Sequence, residues 1–184
     1  MNKVATLGFA AVLFIAHNEP KRQYTQQSEE IEFYKESLEA YDNKDWESFV
    51  TFYADTAIII HNIIESKGID ISEVLQKNKR DEAIFSRWRF IDRYSQFEMV
   101  VTDDGKTWVN FRGVREGVLK ANNKKYMVPT QINIEFVEGK IVKEIGYWDF
   151  SAIAIELEVI NESRNLVFNR SLGPVCRSIF PSEF

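Results

Sequence analysis

Three kinds of residue in this chain could handle protons or a small ligand. Asp149 stands in "GYWDF", between two aromatic residues and an apolar segment. A carboxylate there could be an acid/base at the floor of a pocket, its pKa raised by desolvation towards neutrality. It could equally cap the end of a strand. His61 closes the run "DTAIIIHN" at 55–62, on the face of Ala57 and Ile59. Imidazole titrates near pH 7, so His61 could be a general base or a pocket hydrogen bonder, or be satisfied by a nearby backbone group. The third kind is aromatic: Tyr53, Trp88, Trp108, Tyr126 and Tyr147, with Trp148. Such side chains give apolar walls with polar tips, which suit a planar or cyclic organic ligand; core packing is the alternative for each.

Other chemistries lack their residues. The one cysteine, Cys176, excludes an intrachain disulfide and a thiolate metal cluster. Two histidines, His17 and His61, cannot build a histidine-rich zinc site, and no metal is expected. There is no Gly-x-Ser-x-Gly, no phosphate-binding glycine loop and no dinucleotide fingerprint, so no cofactor is expected. A net charge of −5 argues against a nucleic-acid partner, and "KNKR" at 77–80 reads as a solvated helix face. The 184 residues suffice for one domain, and 14% aromatic content allows an apolar cavity.

The elements that must position these residues follow from patterning. Residues 1–16 have a lysine followed by an apolar run of signal-peptide length, and are expected to be a signal peptide of a secreted or periplasmic protein, with no membrane span in the mature chain. The alternatives are an N-terminal anchor or a helix kept in a cytoplasmic fold. Residues 17–27 read as a linker. Ser28 is the expected N-cap of a helix with Ile31, Tyr34, Leu38 and Tyr41 on one stripe. Asp45 caps a second, short helix. The β-branched run at 55–62 reads as a buried strand. "DISE" at 70–73 opens a helix expected to reach about Trp88.

Beyond Arg89 the chain becomes strand-like. Turns at "DDGK", "NNKK" (122–125) and "EGK" (138–140) separate four long strands. In "YMVPTQINIEFV" the even positions Tyr126 to Phe136 share one covered face. Pro129 suits an edge or a bulge. In the last strand strict alternation puts Ile141, Lys143, Ile145, Tyr147 and Asp149 on one face. That strand runs on into apolar sequence towards 160. The segment 161–184 shows no clear period and is expected to be a C-terminal extension. Arg112 and Arg115 lie on opposite strand faces, so at most one points inward. Strands gathered after helices predict an α+β fold.

Three segments together resemble the nuclear transport factor 2-like superfamily in its SnoaL-like branch: "YKESLEAYDNKDWESFVTFYADTAIIIHN" (34–62), "FRGVREGV" (111–118) and "IEFVEGKIVKEIGYWD" (134–149). The resemblance implies a cone-like domain over 28–160. A strongly curved antiparallel sheet would wrap around N-terminal helices, with a deep pocket between them and homodimers formed through the open sheet face. It also implies isomerase, dehydratase, cyclase or hydrolase relatives that shuttle protons without a cofactor, beside relatives that only bind. In SnoaL-like cyclases a pattern resembling His-Trp-Asp is followed by a second Asp three positions on; here the first is Asp149, but Ala152 fills the second position. The expected function is therefore binding of a small apolar or cyclic organic molecule in the cone. The alternatives are a cofactor-free isomerase, dehydratase or hydrolase using Asp149 with His61, and a protein-interaction module using the sheet face.

Overall fold

A computed structural model describes residues 23–171, so the expected signal peptide, most of the expected linker and Cys176 lie outside the described residues. Three helices come early. The first, α1, spans Glu29–Asp42 and is capped by the Ser28 side chain, which accepts from the Ile31 N–H. Next, α2 spans Trp46–Thr51, capped by Asp45, and α3 spans Ile71–Ile84, capped by Asp70. These caps are the ones the sequence predicts: short side-chain oxygens that satisfy orphan N–H groups in the first turn.

Among the described residues, seven strands form one open sheet: β1 (Tyr24–Thr25), β2 (Tyr53–His61), β3 (Phe85–Phe90), β4 (Gln96–Val101), β5 (Thr107–Leu119), β6 (Lys125–Val137) and β7 (Lys140–Trp148). Their order is β1-β4-β5-β6-β7-β2, with β3 pairing β5 beside β4. The sheet is antiparallel except at its end, where β2 runs parallel to β7. The architecture is α+β, as expected. The turn between β6 and β7 has Glu138 at φ 50° and Gly139 at φ 73°, the doubly left-handed pair a tight two-residue hairpin demands.

The core lies between the helices and the concave sheet face. Ile31 and Tyr34 of α1 meet Phe111 of β5 and the even-numbered face of β6, with Ile132 and Ile134 buried as predicted. The Tyr34 and Phe111 rings pack edge to face at 5.9 Å. Pro129 lies one residue beyond the last β6–β7 pair, Thr130 with Trp148, where the strand is paired on one side only.

Four expectations need correction. Residues Phe85–Phe90 form β3, so the third helix stops at Ile84 rather than near Trp88. Part of the expected linker is β1, which pairs Tyr24 with Val100. The apolar sequence after Asp149 is not strand but a fourth helix, α4, Ser151–Ser171, which continues across the boundary expected at 160. No helix among the described residues is long and apolar enough to cross a membrane.

The fourth correction decides the site. Along β7, Glu135 pairs with Lys143 but the adjacent Phe136 pairs with Ile141, so Val142 is an extra residue in a β-bulge. One inserted residue reverses which side chains face which way beyond it. Ile141 faces the core, and past the bulge so do Glu144, Gly146 and Trp148, opposite Ile134, Ile132 and Thr130. Lys143, Ile145 and Tyr147 face out.

Candidate functional site

A cavity of about 470 Å³ lies in the cone. Helix α1 contributes Tyr34, Ser37 and Tyr41 to its wall; β2 gives Tyr53 and His61, β5 gives Arg115, and β7 gives Glu144 and Trp148. Helix α3 lines it with Lys77, Asn78, Arg80 and Asp81, so three residues of the "KNKR" run face the cavity rather than only solvent. The volume suits a small organic molecule, and aromatic and aliphatic side chains share the lining with five charged ones.

At one wall three polar side chains join. The carboxylate of Glu144, 6% exposed, takes a hydrogen bond from the Tyr53 hydroxyl at 2.6 Å on Oε2. Its Oε1 lies 2.6 Å from Nε2 of His61. Burial pushes the Glu144 carboxyl up. The hydrogen bond and charge of His61, the Tyr53 bond and the Arg115 charge outweigh that, and the group stays below its ordinary range. An ionised carboxylate only accepts, so His61 carries its proton on Nε2. In neutral imidazole that leaves Nδ1 with a free lone pair, and no protein donor meets it among the described residues. Burial, followed by the Glu144 charge, raises the Tyr53 hydroxyl well above the ordinary tyrosine range, so it remains a donor.

The backbone under this group is tight. A Cβ on Gly146 would stand 2.6 Å from Cζ3 of Trp148 and 2.9 Å from Cδ2 of His61. Glycine is what lets His61 and Trp148 meet over β7, their ring centroids 4.7 Å apart.

Arg115 is the second feature. It is 8% exposed, and its guanidinium carbon lies 4.5 Å from the Phe90 ring, 4.8 Å from Trp88, 5.1 Å from Tyr41 and 5.5 Å from Trp148. Four ring faces hold the cation in place. The indole N–H of Trp88 donates to the Tyr41 hydroxyl at 2.7 Å, which fixes two of those rings. Arg112 lies on the opposite face and donates to Glu98 outside the cone.

The residues expected to form the site divide. Tyr53 and His61 line the cavity and share a partner. Trp88 packs behind Arg115 without lining the cavity. Tyr126 donates to Glu156 of α4, and Trp108 faces out, opposite Glu135 of β6. Tyr147 is 53% exposed on the outer face. Asp149 is exposed too. Its Oδ1 accepts from the Ser151 N–H at 2.8 Å and from the Ser151 hydroxyl, closing the turn into α4, and both bonds hold its carboxyl below the ordinary range. Asp149 is not among the cavity-lining residues, because the bulge turns its expected face outward. Glu144 was the residue missed; its signal was the lone acid in β7. Arg115 was legible only as one of two arginines. Among the described residues, no group of three or more His, Cys, Asp or Glu side chains could hold a metal ion.

No protein-family description matches the chain, and no curated protein does. Solved structures do. IdmH of Streptomyces antibioticus, a candidate polyketide cyclase, superposes with a TM-score of 0.57 at 16% identity, covering 71% of this chain and 99% of that one. A candidate SnoaL-like polyketide cyclase of Shewanella denitrificans gives 0.55 at 11% identity, over 72% and 99% of the two chains. A protein of Catenulispora acidiphila with a ketosteroid isomerase-like fold gives 0.52 at 15% identity, over 65% and 87%. The fold is the nuclear transport factor 2-like cone. At these identities the likeness is one of fold, and the chemistry must be argued from the residues.

Proposed function

We propose that this chain binds a small, largely apolar, cyclic organic molecule in the cone and moves a proton on it without a cofactor. The observation that carries this is the hydrogen-bonded group Tyr53–Glu144–His61 at the cavity wall. In that reading His61 Nδ1 is the general base. Glu144 fixes the tautomer and stabilises the imidazolium that forms when the proton arrives, and the Tyr53 hydroxyl holds the carboxylate still. Glu144 itself has both oxygens engaged, so it orients rather than abstracts. The reaction class is proton abstraction next to a carbonyl, followed by return of that proton to another position: an isomerisation, a dehydration or a ring closure. SnoaL-like cyclases among the fold neighbours add support by analogy only.

Deuterium exchange tests this directly. A panel of cyclic ketones, first shown to bind, is incubated in deuterium oxide and followed by NMR at the carbon next to the carbonyl. Enzyme-dependent exchange that disappears in His61→Asn supports the reading. Bound ketones that exchange only at the buffer rate leave a binding protein without chemistry.

Homodimerisation through the sheet is part of the proposal. Ile58, Tyr147 and Met127 are exposed apolar side chains on the outer face, and analytical ultracentrifugation tests whether that face pairs.

A further inference from the structure

Arg115 is a buried cation without a counterion in contact. Among the described residues it makes no ion pair and donates no hydrogen bond, and its Nε is buried with no partner. The four rings around it satisfy its charge in part but accept none of its in-plane donors. The carboxylates that feel its charge are engaged elsewhere or stand apart. Both Glu144 oxygens are taken by Tyr53 and His61, and Asp42 accepts from the Phe90 N–H. A second orphan donor, Asn78 Nδ2, is buried and unpartnered, and Asn78 lines the same cavity. The charged side chains of the lining are Lys77, Arg80 and Arg115 against Asp81 and Glu144. Those five side chains alone leave one positive charge in excess. A native fold rarely leaves a buried guanidinium and a buried amide unsatisfied together unless something else fills the space between them.

Building on the small-molecule reading above, we propose that the molecule held in the cone carries a carboxylate, with Arg115 as its counterion and Asn78 as a second donor. The planar guanidinium matches a carboxylate in a way no point charge does, and the ring cage holds it in position before the ligand arrives. The apolar body of the ligand then extends towards His61 and Trp148. Arg115 would thus choose the substrate and set its orientation, while His61 acts on it.

The test compares 2-naphthoate with 2-naphthamide, nearly the same shape but one charge apart, titrated by tryptophan fluorescence and calorimetry. Wild-type protein is expected to bind the acid at least about tenfold more tightly than the amide, the size of one charge-assisted hydrogen bond. Arg115→Met should bring the two affinities together, the loss falling mainly on the acid. If Arg115→Met fails to fold, Arg115→Gln keeps a donor and removes the charge. Equal binding in the wild type, or a preference that survives the loss of the charge, overturns this inference alone. Binding of neither probe overturns the small-molecule reading and this inference with it.

Discussion

Glu144 and His61 stand on neighbouring parallel strands, Glu144 level with Ile59 and His61 two residues further on, and their side chains meet at 2.6 Å. Both lie on the concave face, so the contact is set by strand register and not by a loop. Sites built on paired strands hold their geometry better than sites on loops.

Replacing the carboxylate should therefore separate orientation from folding. In Glu144→Gln the amide can still accept from Tyr53, but its NH₂ can donate to His61 and favour the wrong tautomer. Exchange activity is expected to fall about 10²- to 10⁴-fold, with little change in melting temperature. Kinetics and a thermal melt on the same preparation check both halves.

Tyr53→Phe removes one of the two donors to a buried carboxylate. It should cost about 1–3 kcal/mol of stability, read from urea unfolding. Because Glu144 titrates below its ordinary value when folded, its contribution is present above about pH 4.5 and lost as pH falls through the folded value. The variant should lose stability on acidification at a higher pH than the wild type does.

Asp42 works in the opposite sense. Burial, countered in part by the Phe90 N–H and by Arg115, pushes its carboxyl up to about 6 from an ordinary 3.8. The folded state thus holds the proton more tightly, and this contribution is complete below about pH 3.8 and lost as pH rises to about 6. Asp42→Asn keeps an acceptor for the Phe90 N–H. Its melting temperature is expected to lack that decline and to exceed the wild-type value at pH 7.

Gly146→Ala should disturb the site directly. The new methyl cannot fit 2.6 Å from Trp148 and 2.9 Å from His61 without moving one of them. We expect a loss of about 1–3 kcal/mol and a fall in exchange rate. A variant as stable and active as wild type would mean that both rings can shift at no cost.

Asp149→Asn is the contrasting control. Asn also accepts from the Ser151 N–H, so melting temperature and exchange rate should both stay at wild-type values. Loss of activity without loss of stability would return Asp149 to the chemistry.

Much of the fold was legible because its signals are local. The caps Ser28, Asp45 and Asp70, the hairpin turns and the alternation of β6 each depend on a few neighbouring residues. The failures share a different character. Phe85 and Trp88, three residues apart and both buried, mimic a helical stripe, although β3 holds them by pairing with β5. The β-branched opening of α4 mimics a strand. Within the site, His61 and Tyr53 were found because residue type alone nominates them. Glu144 and Arg115 were not, since an acid and a base on strands are ordinary surface residues until the facing direction is known. In β7 that direction depends on Val142, and nothing in "KIVKEIGYW" announces a bulge.

Strand β7 therefore encodes two alternative walls. As folded, it shows the cavity Glu144, Gly146 and Trp148, an acid, a gap and a ring. Paired as a regular strand with every residue kept and no bulge, the same segment would show Lys143, Ile145 and Tyr147, a base, an aliphatic group and a phenol. The bulge, with no change in composition, decides between an anionic wall and a cationic one, and deleting Val142 would straighten the strand while keeping Glu144 inward. In a cone of this kind, the gain or loss of a bulge in the sheet alters specificity more abruptly than substitutions in the lining.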